Sequence, residues 1–476
     1  MNLLGRAIAL ALGTVGFVAS AHAASYVVTA NSNAFDSQLA RKIEAAGGTI
    51  TARLPQIGVA IVQSSDTGFV TRANRVPGIH SVVQDIVLQF DLPPHTETVD
   101  ENVGSPPNSG DNDTRFDLQW GHAAIDAVGA WNQGYRGAGV KVAVLDSGIA
   151  CAHPDIAPNL LTADSTSFVP GEGYCLNRSN VFNHGSHVAG TIAAPDNGVG
   201  MIGVAPEAKL IAVKVLSEVT GGGSFGGIIQ GIVHAADKGA DVINMSLGVR
   251  GGLPVNGKGA NDVRELMNAT ARATRYAASQ NALVVVAAGN DGRDLDKDSS
   301  TQVCDADGDC FNANLRAFPA ELPAVLSIAA TAPIGWAKAP TTTFMDNLAR
   351  YSNYGQSAID FAGPGGDSAY AGNENCTVAG LARPCWVFDL VFSVGGYSQA
   401  VPGGPVFASY SWVAGTSMAA PHVSGVAALI IGKHGGEMAP AAVERILRAS
   451  SDDLGKPGVD SHYGGGRVNA AKAVKY

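Results

Sequence analysis

Residues 182–191 read FNHGSHVAGT and set two histidines, His184 and His187, three positions apart. On a helix that spacing puts both imidazoles on one face. The pair could be half of a metal site, a general base beside a structural neighbour, or packing alone. Two further stretches carry groups that such a base could serve. VAVLDSG places Asp146 just past an apolar run, and AGTSMAAPHVSG places Ser417 ahead of an apolar helix with Pro421 expected in its first turn. Each has a plainer reading, Asp146 as a turn cap and Ser417 as an N-cap. A serine hydroxyl becomes a nucleophile only beside a base, and the base needs a third group to hold its tautomer and stabilise the imidazolium. Asp, His and Ser in that chain order supply all three. A fourth stretch, VVVAAGNDG, puts Asn290 at a strand end, where its amide could donate to a developing oxyanion. Zinc is not supported, because H-E-x-x-H needs a wider spacing with a Glu inside it, and here Gly185 and Ser186 intervene.

These groups need a frame. From about residue 113 the chain carries short apolar runs, GVKVAVLDSG, AKLIAVKVL, ADVINMSLG, ALVVVAAGN and AVLSIAA, each ending in a polar or Gly-rich turn. Helical patterns lie between them, at 226–238 and 261–280. Runs of this kind are strands buried on both faces, so a parallel α/β sheet is expected. In such sheets the ligand crevice lies beyond the carboxyl ends of the strands, where Asp146, Ser246 and Asn290 all fall. Residues 25–92 read as a separate unit in the order βαββαβ, with SVVQDIVLQF as its last strand. The segment 93–114 is polar, Pro-rich and acidic, and reads as an exposed linker open to proteolysis.

VAVLDSGI, NHGSHVAGT, SLG, AAGN and GTSMAAPHVSG, in this order from about 115 to 476, resemble the subtilisin-like serine proteases. The resemblance implies a parallel seven-stranded sheet with helices on both faces over 115–476, preceded by a small α+β propeptide domain at 25–92 and a processing site in 93–114. It implies Asp146 as the orienting acid, His184 as general base, Ser417 as nucleophile and Asn290 as an oxyanion donor, so His187 and His422 are structural. It gives Gly221, Gly222, Gly223, Ser246, Leu247 and Gly248 as the edges that pair with an extended substrate. It also implies a structural calcium held by Asp155 and Asn197 side chains and the carbonyls of Pro195, Val199 and Met201, with Phe116 near the place of the family's N-terminal ligand. No catalytic metal is implied. The 25–92 unit would act as intramolecular inhibitor and folding chaperone, since a parallel sheet of non-local contacts folds slowly.

The rest of the chain fits an exported enzyme. MNLLGRAIALALGTVGFVASAHA has a positive Arg6, an apolar stretch and an A-x-A end, and reads as a signal peptide over 1–23. The apolar stretch is shorter than the roughly 20 residues of a membrane span. Secretion is therefore expected, with a periplasm as the transit compartment, and no membrane association in the mature form. Six cysteines in an exported chain suggest disulfides, with nearest-neighbour pairs 151–175, 304–310 and 376–385 expected. Net charge is −10 with no basic patch, which argues against nucleic acid. Polypeptide substrates and a monomer are expected. Two inserted segments have no role read from sequence: 291–316, whose aspartates from Asp294 to Asp309 could bind a second calcium, and 366–412. The competing readings are a narrow-specificity processing protease and a binding pseudoprotease. The intact set of Asp146, His184, Ser417 and Asn290 argues against the second.

Overall fold

The computed structural model describes residues 23–90, 97–100, 111–297, 301–304 and 310–476, with the backbone alone at 97–100 and at Cys304. Residues 1–22 of the signal peptide, most of the 93–114 linker, the 304–310 cysteine pairing and Asp298, Asp305, Asp307 and Asp309 of the acidic loop lie outside the described residues.

The apolar runs form one sheet. Thr166–Ser167, Lys209–Lys214, Lys141–Asp146, Val242–Met245, Leu283–Ala287, Leu326–Ala332 and Phe361–Pro364 lie side by side in that order, every neighbouring pair parallel. These are the seven parallel strands expected. An eighth strand, Asn347–Leu348, runs antiparallel to Leu326–Ala332, so the sheet is mixed. Successive side chains of a strand point to opposite faces, and Lys141–Asp146 therefore feeds two cores. Val142 and Val144 pack in the core that contains Val188 and Met418, from helices His184–Ala193 and Thr416–Lys433. Ala143 and Leu145 pack in the core that contains Ile228 and Leu266, from helices Phe225–Asp237 and Ala260–Ser279. Among the described residues no helix is long and apolar enough to cross a membrane.

Residues 24–84 form a four-stranded antiparallel sheet, ordered Thr49–Leu54, Val59–Ser64, Ala24–Ala30, Ile79–Gln84, with helices Ser37–Ala45 and Phe69–Ala73. Val28, Phe35, Ile43, Val62 and Phe69 fill a core of its own. The run SVVQDIVLQF is not one strand. It breaks at Asp85, whose Oδ1 accepts the Gly226 N–H at 3.0 Å at the start of helix Phe225–Asp237. Beyond the break Val87–Gln89 leaves its own sheet and pairs antiparallel with Gly222–Ser224. A carboxylate at a helix N-terminus is favourable, and that contact turns the chain into the larger unit.

Within 366–412 a hairpin of Asn375–Val378 and Leu381–Pro384 is closed by the disulfide Cys376–Cys385. Strands Val391–Ser398 and Phe407–Val413 then pair antiparallel, with Val181–Phe182 on one flank and Glu97–Asp100 on the other. A second disulfide, Cys151–Cys175, ties the loop after Asp146 to the loop ahead of His184. In the 291–316 segment Asp294 pairs with Lys297 at 2.7 Å, and Asp296 accepts the Ser357 N–H at 3.1 Å.

Candidate functional site

Asp146 is the last residue of its strand and is buried. Its neighbour across the sheet is Lys214, a fully buried lysine whose ammonium donates to the Ser147 carbonyl and lies 3.1 Å from Glu172 Oε2. The turn after the strand is thereby fixed, and Asp146 Oδ1 accepts the Ser147 N–H at 2.6 Å. His184 opens the helix His184–Ala193, which Asn183 caps by accepting the Ser186 N–H at 2.8 Å. Helix and strand touch because position 185 is glycine: a Cβ there would stand 2.2 Å from the Gly148 carbonyl oxygen. His184 Nδ1 consequently sits 2.9 Å from both Oδ1 and Oδ2 of Asp146. That contact sets the tautomer, with the proton on Nδ1, and leaves Nε2 as the basic nitrogen. Nε2 is buried and has no hydrogen-bond partner among the described residues.

Ser417 is the second residue of helix Thr416–Lys433. Its hydroxyl donates to the Ser246 carbonyl at 3.2 Å. That carbonyl, not His184 Nε2, is the hydroxyl's resting partner, and nucleophile–base contacts often close only in the working complex. The first-turn position expected for Pro421 is corrected: it lies inside the helix, four residues after Ser417. Having no N–H, it leaves the Ser417 carbonyl without its intrahelical donor, and Ser246 Oγ donates there instead at 2.8 Å. Asn290 lies past the end of Leu283–Ala287. Its Oδ1 accepts from the Thr416 N–H and Oγ1, both at 2.9 Å, so the donor end of the amide is the end left for a ligand. A narrow pocket lined by Gly248, Val249, Gly289, Asn290, Asp291 and Ser417 opens beside it.

His187 is buried, with Nε2 at 3.2 Å from the Val391 carbonyl and 3.1 Å from that of Ser411. Burial, and then the nearby His184, push its pKa down to about 3, so it is a neutral packing residue. His422 is similar: burial holds it down to about 4, and Nδ1 meets the Met418 carbonyl at 2.8 Å.

Gly221, Gly222 and Gly223 lie on one lip of this crevice. Gly222 and Gly223 pair with Gln89 and Leu88, and the Phe90 N–H donates to the Gly221 carbonyl at 3.3 Å. The chain's own Val87–Phe90 thus lies extended on that edge. On the opposite lip the pairing partner of Phe90 is Val249, one residue beyond Ser246, Leu247 and Gly248.

Asp155 and Asn197, two of the calcium ligands read from sequence, lie together at the 195–201 loop, where Asn197 Oδ1 accepts the Val199 N–H at 2.9 Å. Asp155 is fully buried, and its Oδ2 accepts from the Met201 N–H at 3.0 Å and from Tyr410 Oη at 2.9 Å. Its Oδ1 accepts from Asn197 Nδ2 at 3.2 Å. Gly200, at φ +59°, allows the loop of Pro195, Asn197, Val199 and Met201 to close, since a Cβ there would strike Tyr410 and Asp155. From the N-terminal side this loop is met by Asp113, whose Oδ1 accepts the Asn197 N–H at 3.3 Å, by Thr114 Oγ1, which accepts the Gly200 N–H at 2.8 Å, and by the Arg115 N–H, which donates to the Gly200 carbonyl at 2.6 Å. Asp113 is buried with Oδ2 unpartnered, and carboxylate oxygens of Asp111, Asp113 and Asp196 lie within 4.8 Å of one another. Burial first, then Asp111, raises the Asp113 pKa to about 8. A buried carboxylate with a free oxygen amid others suits a hard cation. The signal in sequence was the Asp111-Asn112-Asp113 triplet, which reads only as linker because it has no periodicity.

Residues 137–466 match the family model described as the subtilase family. Subtilisin DY of Bacillus licheniformis is 32% identical over 361 residues, covering 75% of this chain and 99% of its own. Among solved structures, a lanthipeptide protease superposes with a TM-score of 0.59 at 30% identity, covering 78% of this chain and 99% of that one. The epidermin leader peptide processing serine protease of Staphylococcus aureus shares the fold with a TM-score of 0.70 at 23% identity, covering 95% of this chain and 98% of its own.

Proposed function

The chain belongs to the subtilase family of serine endopeptidases, and on that premise we propose that Ser417, His184, Asp146 and Asn290 carry out its peptide-bond hydrolysis. The observation that carries this assignment is the buried contact of His184 Nδ1 with both oxygens of Asp146, at 2.9 Å each. Ser417 Oγ leaves the Ser246 carbonyl, gives its proton to His184 Nε2 and attacks the substrate carbonyl carbon. Asp146 stabilises the imidazolium that results. The carbonyl oxygen gains charge and takes hydrogen bonds from the Asn290 amide and the Ser417 N–H. His184 returns its proton to the departing amine, and a water then repeats the sequence on the acyl-enzyme. Peptide substrate lies extended along Gly221–Gly223 and the Ser246–Gly248 side, in the manner of Val87–Phe90.

The chain is exported, as residues 1–23 suggest, and is made as a zymogen. Its N-terminal unit inhibits by holding Val87–Phe90 on the substrate edge, and assists folding of the parallel sheet. Ser417 releases it by cutting beyond Phe90, in the linker. Asp113, Asp155 and Asn197, with the carbonyls of Pro195, Val199 and Met201, would hold a calcium ion, whose charge would offset the clustered carboxylates and stabilise the fold.

A narrower processing role is the second reading. The inserted 366–412 segment adjoins Ser417 through Ala414, and two proteins of similar fold are a lanthipeptide protease and an epidermin leader peptide processing serine protease. Reaction with a serine-directed phosphonate tests the main assignment. Labelling at Ser417, lost in His184→Ala, is the expected outcome. Absence of label in the processed enzyme would return the chain to a binding role.

A further inference from the structure

Residues 366–412 have no part in the chemistry above, yet they surround the strand that leads into Ser417. Two observations give them a role. The outer edge of Phe407–Val413 already carries a strand: Glu97–Asp100 pairs with it antiparallel, Glu97 opposite Trp412 and Asp100 opposite Ser409. The same stretch of chain lies on Gly222–Ser224 through Val87–Gln89. One chain therefore uses two edges in succession, first the edge proposed for residues before the cut bond, then an edge that ends a few residues ahead of Ser417.

The second observation is a cavity of about 390 Å³ whose walls include Tyr370, Trp386, Leu390 and Ala414. Ala414 directly follows Phe407–Val413, so the cavity opens where that edge approaches Ser417. Because the pair is antiparallel, the Glu97 end of that strand lies at its Trp412 end, the end nearer Ala414 and Ser417. The walls are built, not incidental. Trp386 follows Cys385, which the disulfide to Cys376 anchors. Tyr370 is held by Lys338 Nζ at 3.0 Å and by Glu374, and those two charges pair with each other at 2.5 Å. Two aromatic rings, a leucine and an alanine fit an apolar side chain.

We propose that the 366–412 segment is the docking surface for the part of a polypeptide substrate that follows the cut bond. That part adds as a strand along Ser409–Trp412 and places an apolar or aromatic side chain, from one of the first two residues after the cut, in the cavity beside Ala414. This assignment rests on the protease reading. The uncut chain fills the strand-pairing edge with its own Glu97–Asp100, and a substrate takes that place in the processed enzyme.

Internally quenched peptides test it with the processed enzyme. The sequence before the cut is held constant, and the two positions after it are changed in turn to Phe, Leu, Gly or Asp. An apolar residue at one of them raises kcat/KM by about tenfold or more over Gly. Extending the peptide from about two to about eight residues beyond the cut raises it again, and N-methylation of the added amides removes that gain, because strand pairing requires the N–H groups. Trp386→Ala drives the Phe-to-Gly ratio toward one, and Tyr370→Ser serves if the first variant does not fold. Rates indifferent to residue, length and N-methylation would overturn the docking surface while leaving the protease reading in place. A processed enzyme that cuts neither these peptides nor casein would overturn the protease reading, and this assignment with it.

Discussion

Ser246 and Ser417 exchange hydrogen bonds in both directions: Ser246 Oγ donates to the Ser417 carbonyl at 2.8 Å, and Ser417 Oγ donates to the Ser246 carbonyl at 3.2 Å. Pro421 makes the first bond necessary, since it removes the helical N–H that would otherwise reach the Ser417 carbonyl. The strand-end segment around Ser246 and the helix of Ser417 are joined at the proposed nucleophile itself.

Ser246→Ala should therefore strand a buried carbonyl. We predict a stability loss of about 1–3 kcal/mol, read by chemical denaturation in a Ser417→Ala background that prevents self-digestion. In the active enzyme kcat should fall with it. A variant as stable as its parent would show that water or a helix adjustment replaces the bond.

Asn290→Ala would remove one of the proposed oxyanion donors. We predict a kcat lower by about 10²–10³ with KM little changed, a magnitude taken from the corresponding loss in a subtilisin and not obtained from this chain. Steady-state kinetics on one peptide decides it. A loss confined to KM would place Asn290 in ground-state binding instead.

How much of this was legible in the residues differs from place to place. Asp146, Ser246 and Asn290 could be placed because strands buried on both faces appear as unbroken apolar runs, and these residues follow where each run stops. The eighth strand, Asn347–Leu348, is too short to show any period. The break at Asp85 was hidden because the residue that ends the strand does so by meeting Gly226, far away in the chain. Asp113 lay in polar linker, where composition says nothing about partners. The pairing of Glu97–Asp100 with Ser409–Trp412 is non-local, and neither segment alone carries a sign of it. Pro421 was expected one turn early because helix ends are poorly marked when the first turn holds small residues.

Calcium should stabilise the fold through the Asp113–Asp155–Asn197 site. Binding to the folded state alone adds about 2.7 kcal/mol at a hundredfold excess over Kd, so thermal unfolding of the Ser417→Ala protein should shift upward with calcium and return with a chelator. Asp113→Asn and Asp155→Asn should each shrink that shift. An unfolding temperature indifferent to calcium would remove the ion from the account.

His422 supplies a pH dependence of known sign. Burial holds it down to about 4 in the folded chain, against about 6.5 when unfolded. As pH falls through that window the unfolded chain takes up a proton that the folded chain refuses, so the stabilisation present above pH ~6.5 is lost toward pH ~4. Buried Asp360 and Asp389, pushed up to about 6, act in the opposite direction over part of that range. The test is therefore a comparison of two proteins. His422→Asn, which keeps a donor for the Met418 carbonyl, should unfold with a shallower dependence on pH than its parent between ~6.5 and ~4. Parallel curves would mean that His422 gains its proton without unfolding.

The central claim is that Ser417 is the nucleophile and acts first on its own chain. Intact mass of the protein expressed without residues 1–23, beside its Ser417→Ala counterpart, tests this most directly. The wild type should separate into an N-terminal piece ending beyond Phe90 and a catalytic piece, while Ser417→Ala stays whole. Two proteins cut alike, or two left whole in the presence of calcium, would contradict it.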